Sequence, residues 1–364
     1  MIRLSLLQFR VQAITAAMTM AAFAVLLAVT GPHLASLYAA DGLGICHGSS
    51  CANLAIYFSG SLIYTPYSVL FLLSTGIILL APAVIGLFWG APLIARELET
   101  GTAALAWNQS VTRTRWLAVK LTVTGLTAMA VTEALCLIQT WWAAPISQAA
   151  ADGASVGPAQ SRFTQLNFAT HGITPLGYAA FAFALGVAAG ALIRRTVPAM
   201  ALTLAIFAAL QVAMPLWVRP NLAPADHTVR PVTSLGAALP AETGPGGTTF
   251  TLYALNIPGQ PGAWLLSSGP VSAAGQATST TPAACTSVEG TSPGPGAHTG
   301  SSPLGARTGP VAFRGCLASH GIREAITYQP ASRYWRFQWT ETAIYLALAV
   351  ALAGYCFRRL SRLS

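Results

Sequence analysis

Few side chains in this 364-residue sequence could do chemistry, and their spacing limits what that chemistry is. Glu133 stands inside a long apolar run, where an ionisable group could line a conduit, bind a cationic group or serve as an acid or base. It could also be a carboxyl hydrogen-bonded to nearby hydroxyls such as Thr127, or to a residue of another segment, and the residues leave both readings open. Acid–base catalysis needs a second carboxyl or histidine at matching depth, and no such partner is read beside Glu133. Cys46 and Cys51 in CHGSSC, with Cys285 and Cys316, allow three disulfide pairings, of which the two local pairs are the simplest. A metal site around Cys46, His47 and Cys51 has a spacing unlike the common zinc patterns, so no metal is expected.

The motifs of phosphate and hydrolytic chemistry are missing. No G-x-x-x-x-G-K-[ST] occurs, the single lysine is Lys120, no HExxH includes any of the six histidines, and no G-x-S-x-G elbow is present. The chain is therefore expected to be no enzyme by itself and to bind no cofactor directly.

One further polar group stands out. RELETGTAALAWNQSVTRTRW, residues 96–116, gathers Arg96, Glu97, Glu99, Arg113 and Arg115 into one window of a chain that is only 8% charged and 54% hydrophobic. A mean hydropathy of +0.58 with so little charge does not describe a water-facing surface. It describes a protein of the bilayer, where each helical span needs roughly 20 apolar residues because every backbone N–H and C=O must be satisfied within the segment. Six runs qualify: 12–30, 68–95, 117–144, 172–193, 197–218 and 339–357. The expected fold is an all-α integral membrane protein of six transmembrane helices.

Lysine and arginine in short loops set orientation. With the N-terminus inside, Arg3, Arg10, Arg96, Arg113, Arg115, Lys120, Arg194, Arg195, Arg358, Arg359 and Arg362 are cytoplasmic, whereas the two short outer loops hold only Arg162. This bias predicts an N-in, C-in chain, with the net charge of +9 facing anionic headgroups. Nucleic acid is not an expected partner, since no basic stripe interleaved with aromatics occurs in a foldable loop. Trp89 and Trp116 fall at inner span ends, and Trp141, Trp142, Trp217, Trp335 and Trp339 at outer ones, as interfacial anchoring requires. The first run is longer than a signal-peptide core and is expected to remain as a span. Before it, Arg3 and Arg10 suit either a short interfacial helix or an ordinary basic flank.

Residues 1–218 thus form a membrane domain with the loop 96–116, residues 219–338 a large extracytoplasmic loop, and residues 339–364 the sixth span and a basic tail. The four loop cysteines lie on the oxidising side, which favours disulfides. Within the large loop, TFTLYALNIP and GAWLLSSG alternate as short strands do, whereas 273–308 is rich in Gly, Pro, Ser and Thr and is expected to be partly disordered. In the membrane, Gly186 and Gly190 form G-x-x-x-G, which permits close helix approach within the chain.

The polar window itself reads as a short helical elbow on the cytoplasmic face, turning through NQSVTRTRW into the third span with Ser110 or Thr112 able to cap it. RELETGT followed by WNQSVTRTRW and VKL resembles the first cytoplasmic loop of ABC transporter permeases of the ABC-2 membrane type, in their actinobacterial branch. ALIRRTVPAMALT and SRYWRFQWTETAIYLALA are similar to the same family at the fourth-to-fifth turn and the entry to the sixth span.

The resemblance implies a permease without its own ATPase, paired with a second permease copy or paralogue, each seated on a separate nucleotide-binding subunit that carries ATP and magnesium. It further implies that Arg96, Glu97, Glu99, Thr100, Gly101, Thr102, Trp107, Asn108, Gln109, Arg113 and Arg115 contact that subunit, with Arg194 and Arg195 as a second, smaller contact. The expected function is export across a bacterial plasma membrane. The competing reading is a permease-like anchor or sensor whose outer loop binds a ligand or protein.

Overall fold

A computed structural model describes residues 2–46, 49–99, 113–154, 161–232, 236–244, 247–254, 257, 262–286 and 310–361. Two compact units result: Met1–Leu222 with Tyr334–Ser364, and Ala223–Arg333. The change from apolar to mixed composition falls close to these limits, but Arg219 and Gln338 belong to the helical unit.

The helical unit contains α1 (Ile2–Ala40), α2 (Ser49–Ile63), α3 (Pro66–Ile85), α4 (Ala91–Glu99), α5 (Arg113–Trp142), α6 (Ala144–Ala151), α7 (Gln165–Thr170), α8 (Thr174–Ile193) and α9 (Thr196–Ala213). Its last helix, α12 (Tyr334–Ser361), follows the second unit. A π-helical turn, Gly86–Gly90, joins α3 to α4, and a second, Met214–Val218, extends α9 into a 3-10 turn at Arg219–Asn221. Among the described residues, six helices are long and apolar enough to cross a membrane: Ile14–Ala40, Pro66–Glu97, Thr114–Trp142, Thr174–Ile193, Thr196–Asn221 and Ala331–Arg359.

The segment 31–67, expected as a loop, is largely helical. α1 continues through Pro32 to Ala40, because ASLYAA carries good helix formers past a proline that a membrane helix tolerates. After a disulfide between Cys46 and Cys51, ANLAIYF continues as α2.

α8 is the centre of the bundle, with α3, α4, α5, α9 and α12 packed around it. Its sequence, TPLGYAAFAFALGVAAGALI, presents small residues on every side, so neighbours approach without large side chains between. The closest approach is to the π turn. A Cβ on Gly86 would lie 2.7 Å from the Ala182 carbonyl oxygen, one on Gly90 2.6 Å from that of Phe183, and one on Gly190 2.5 Å from that of Ala91. On Gly186 it would overlap the Gly86 carbonyl and stand 2.7 Å from the Ala91 nitrogen. The G-x-x-x-G of α8 thus packs inside the chain against a second one, Gly86 and Gly90.

Trp89 and Trp116 are 8% and 6% exposed and pack with Ile94, Phe183 and Val187, so they are core residues and not lipid anchors. Trp142 is also buried, its indole N–H donating to Thr30 Oγ1 at 3.0 Å. Trp141, Trp217, Trp335 and Trp339 are exposed, as anchoring side chains would be.

The second unit contains β1 (Asp226–Pro231), β2 (Gly236–Gly244), β3 (Gly247–Ala254), β4 (Trp264–Val271), the single turn α10 (Ala283–Thr286), α11 (Pro310–Ser319) and β5 (Arg323–Gln329). The two stretches with period-two alternation supply β3 and β4. β5 is the middle strand of an antiparallel sheet of order β1-β5-β4, and β2 and β3 form a separate hairpin. The description all-α therefore covers the helical unit alone. A small core of Val232, Phe313, Leu317 and Ile322 surrounds the disulfide between Cys285 and Cys316. Of the stretch expected to be partly disordered, residues 287–309 lie outside the described residues.

Candidate functional site

The polar window begins at the end of α4, a helix that is apolar on the side facing α8 and α9 and charged on the other. Arg96 and Glu99 are exposed and Glu97 is partly buried. Thr100, Gly101, Thr102, Trp107, Asn108 and Gln109 lie outside the described residues, as do the proposed caps Ser110 and Thr112. Arg113 opens α5, and Arg115 is exposed on its first turn.

The structure gives both acidic residues of this window a partner within the chain. Lys120, almost fully buried on α5, donates its ammonium to Glu97 and lies 4.6 Å from the Trp116 ring centroid. Burying the lysine requires that pairing, because an isolated ammonium in an apolar setting costs several kcal/mol. Glu99 accepts from the Thr196 amide at 3.3 Å and the Thr196 hydroxyl at 2.9 Å. Thr196 opens α9, whose own N-cap residue, Arg195, contributes no side-chain bond. A carboxylate from α4 therefore caps α9 and complements its dipole.

Arg194 and Arg195 form the whole connection between α8 and α9 and are both exposed. Arg194 ends α8 in the left-handed region, φ 59°, the one described non-glycine residue with positive φ. From α12, Arg359 donates to the last carbonyls of α8, Ala191 at 3.3 Å and Leu192 at 3.5 Å. The ends of α4, α5, α8, α9 and α12 thus meet around Glu97, Glu99 and Arg359.

Glu133 is half-buried on α5, and its Oε2 is buried without a hydrogen-bond partner. The Thr127 hydroxyl that sequence offered it donates to the Val123 carbonyl at 2.8 Å instead. On the same helix, Gln139 is fully buried and donates to Thr75 Oγ1 at 2.8 Å and Ser74 Oγ at 3.3 Å on α3.

The most concentrated polar group sits at the other end of α8 and was not singled out by sequence. Glu341 on α12 and Arg219 are 0% and 1% exposed and meet in a bidentate pair, Nε to Oε2 at 2.9 Å and Nη2 to Oε1 at 3.0 Å. The Tyr178 hydroxyl of α8 donates to the same carboxylate, and the guanidinium carbon lies 3.9 Å above the Phe168 ring. One turn away on α12, Gln338 accepts from the Ile173 and Thr174 amides at 3.0 and 3.1 Å and donates to the His171 carbonyl at 3.0 Å. His171 is partly buried there, and the loss of water around its ring lowers its pKa from the usual 6.5, against an opposing hydrogen bond to the Asn167 carbonyl. Sequence shows Arg219 only as a span-terminal arginine and Glu341 only as an acid in WTETA; their pairing spans 122 positions and needs the fold.

The family model described as ABC-2 membrane transporter related matches residues 17–219, more than half of the chain. The chain belongs to that family. It is an ABC transporter permease, a multi-pass membrane protein of a class whose membrane domains are not themselves catalytic and which works with an ABC ATPase subunit. No curated protein and no solved structure matches it. The matched region ends at Arg219, so it contains the elbow, α8 and the α8–α9 turn, while α12 and Glu341 lie beyond it.

Proposed function

We propose that this permease is the membrane subunit of an ATP-driven exporter in a bacterial plasma membrane, and that the elbow 96–116 docks on a separate ATPase subunit holding ATP and magnesium. In this reading the chain is N-in and C-in, the unit 223–333 is extracytoplasmic, and a second permease copy or paralogue completes the transporter. Kinship to the actinobacterial branch rests on the RELETGT and WNQSVTRTRW motifs. The observation that carries the proposal is the pair of contacts from α4. Through Glu97 to Lys120 and Glu99 to Thr196, a push on the elbow reaches the third and fifth spans as well as the second. Thr100, Gly101, Thr102, Trp107, Asn108 and Gln109, with Arg96, Arg113 and Arg115, form the docking surface, and Arg194 and Arg195 the smaller second contact.

The test separates docking from transmission. Co-purification with an ATPase subunit encoded beside the permease is expected to be lost in Trp107→Ala with Gln109→Ala. It is expected to survive in Glu97→Gln with Glu99→Gln, which uncouples ATP hydrolysis from transport. If wild type retains no ATPase, the exporter reading falls. The anchor or sensor reading then leads, since the unit 223–333 has its own sheet, core and disulfide with which to bind a ligand or protein.

A further inference from the structure

Glu341 and Arg219 require an explanation beyond stability. Removing two such ions from water costs several kcal/mol each, and apolar side chains of similar volume generally fill such a space as well or better. Three features of the same corner point to a second arrangement. Arg219 does not lie on a regular helix: it follows the π turn Met214–Val218 and begins a 3-10 turn, irregularities that recur at functional sites. Next to Glu341, Thr342 Oγ1 is buried with no hydrogen-bond partner, and so is Gln211 Nε2 on α9. The contact that joins these two helices beside the pair, Tyr345 Oη to Gln211 Oε1, is long at 3.4 Å. Polar atoms left unsatisfied when α9 and α12 are together would be hydrated when they part.

Resting on the permease reading above, we propose that Arg219 and Glu341 are positioning residues for transport: a charged latch joining α8, α9 and α12 at the end of the bundle remote from the elbow. The latch is closed here and opens once per cycle, when separation of α12 from α9 lets water reach both charges together with Gln211 and Thr342.

The test places spin labels at Trp217→Cys and Trp339→Cys, exposed positions flanking the pair, in the full-length permease. Wild type alone is expected to give one short distance, and a second, longer one with ATPase subunit and ATP. Glu341→Gln is expected to populate the longer distance without nucleotide. Arg219→Leu with Glu341→Leu is expected to keep only the short distance in ATP and to lose transport-linked ATP hydrolysis, while its thermal stability in detergent equals or exceeds wild type. A Glu341→Gln variant confined to the short distance overturns the latch, as does a double-leucine variant that opens like wild type. If no ATPase subunit binds, the exporter reading fails, and the Glu341→Gln distance still decides the latch.

Discussion

The two ends of α8 are held in opposite ways. Its 20 residues span about 30 Å. At the Ile193 end, the contacts are made by side chains at or near the surface, Glu99 to the amide and hydroxyl of Thr196 and Arg359 to two α8 carbonyls, with Lys120 the well-buried exception. At the Thr174 end, a bidentate ion pair, a tyrosine, an aromatic face and a glutamine with five bonds are enclosed together. Between them, backbone touches backbone through four glycines. An end open to water can keep its charges solvated and adjustable, whereas an end without water can hold charge only by pairing it completely.

The largest effect is expected at the enclosed end. Glu341→Ala leaves the Arg219 charge buried and unpaired and should destabilise the helical unit by about 3–5 kcal/mol in detergent unfolding, whereas replacing both residues with leucine should be close to neutral. A double-leucine variant as unstable as Glu341→Ala would break the contrast between the ends. In the middle, Gly186→Ala drives a methyl group into backbone atoms of Gly86 and Ala91 that have no side chain to move, a loss of about 1–3 kcal/mol. Gly76→Ala in α3, with open space at its Cβ, should be neutral or gain up to about 1 kcal/mol in the same assay.

At the open end, Glu99→Gln is expected to cost about 0.5 kcal/mol or less, and less again in high salt, because the contact is exposed. The effect of pH is the smallest. Burial lowers the His171 pKa, so the unfolded chain takes up a proton first. Stability should be unaffected above about pH 6.5 and fall below it until the folded-state histidine titrates. Melting curves at pH 7.5 and 5.5 should differ in wild type and converge in His171→Gln.

Much of this was legible in the chain. Six apolar runs, the polar window between the second and third, the internal packing role of Gly186 and Gly190, and strands in TFTLYALNIP and GAWLLSSG all follow from period and composition. The helices that run to Ala40 and from Ser49 to Ile63 were hidden by Gly31, Pro32 and CHGSSC, which resemble a loop when read locally. Trp89 and Trp116 looked like anchors because only position along a span was visible, not the face turned to α8. Glu97 and Glu99 looked available to a partner because nothing in sequence ties residue 97 to 120 or residue 99 to 196.

What the sequence determined is therefore the six apolar spans and the stretch between the second and third that stays polar, since each depends on the local requirement that apolar residues and backbone bonds be satisfied within one segment. Tertiary structure decided which charges meet. Glu341 and Arg219 lie 122 positions apart, and only packing of α12 and the end of α9 against α8 removes them from water together and makes their pairing obligatory.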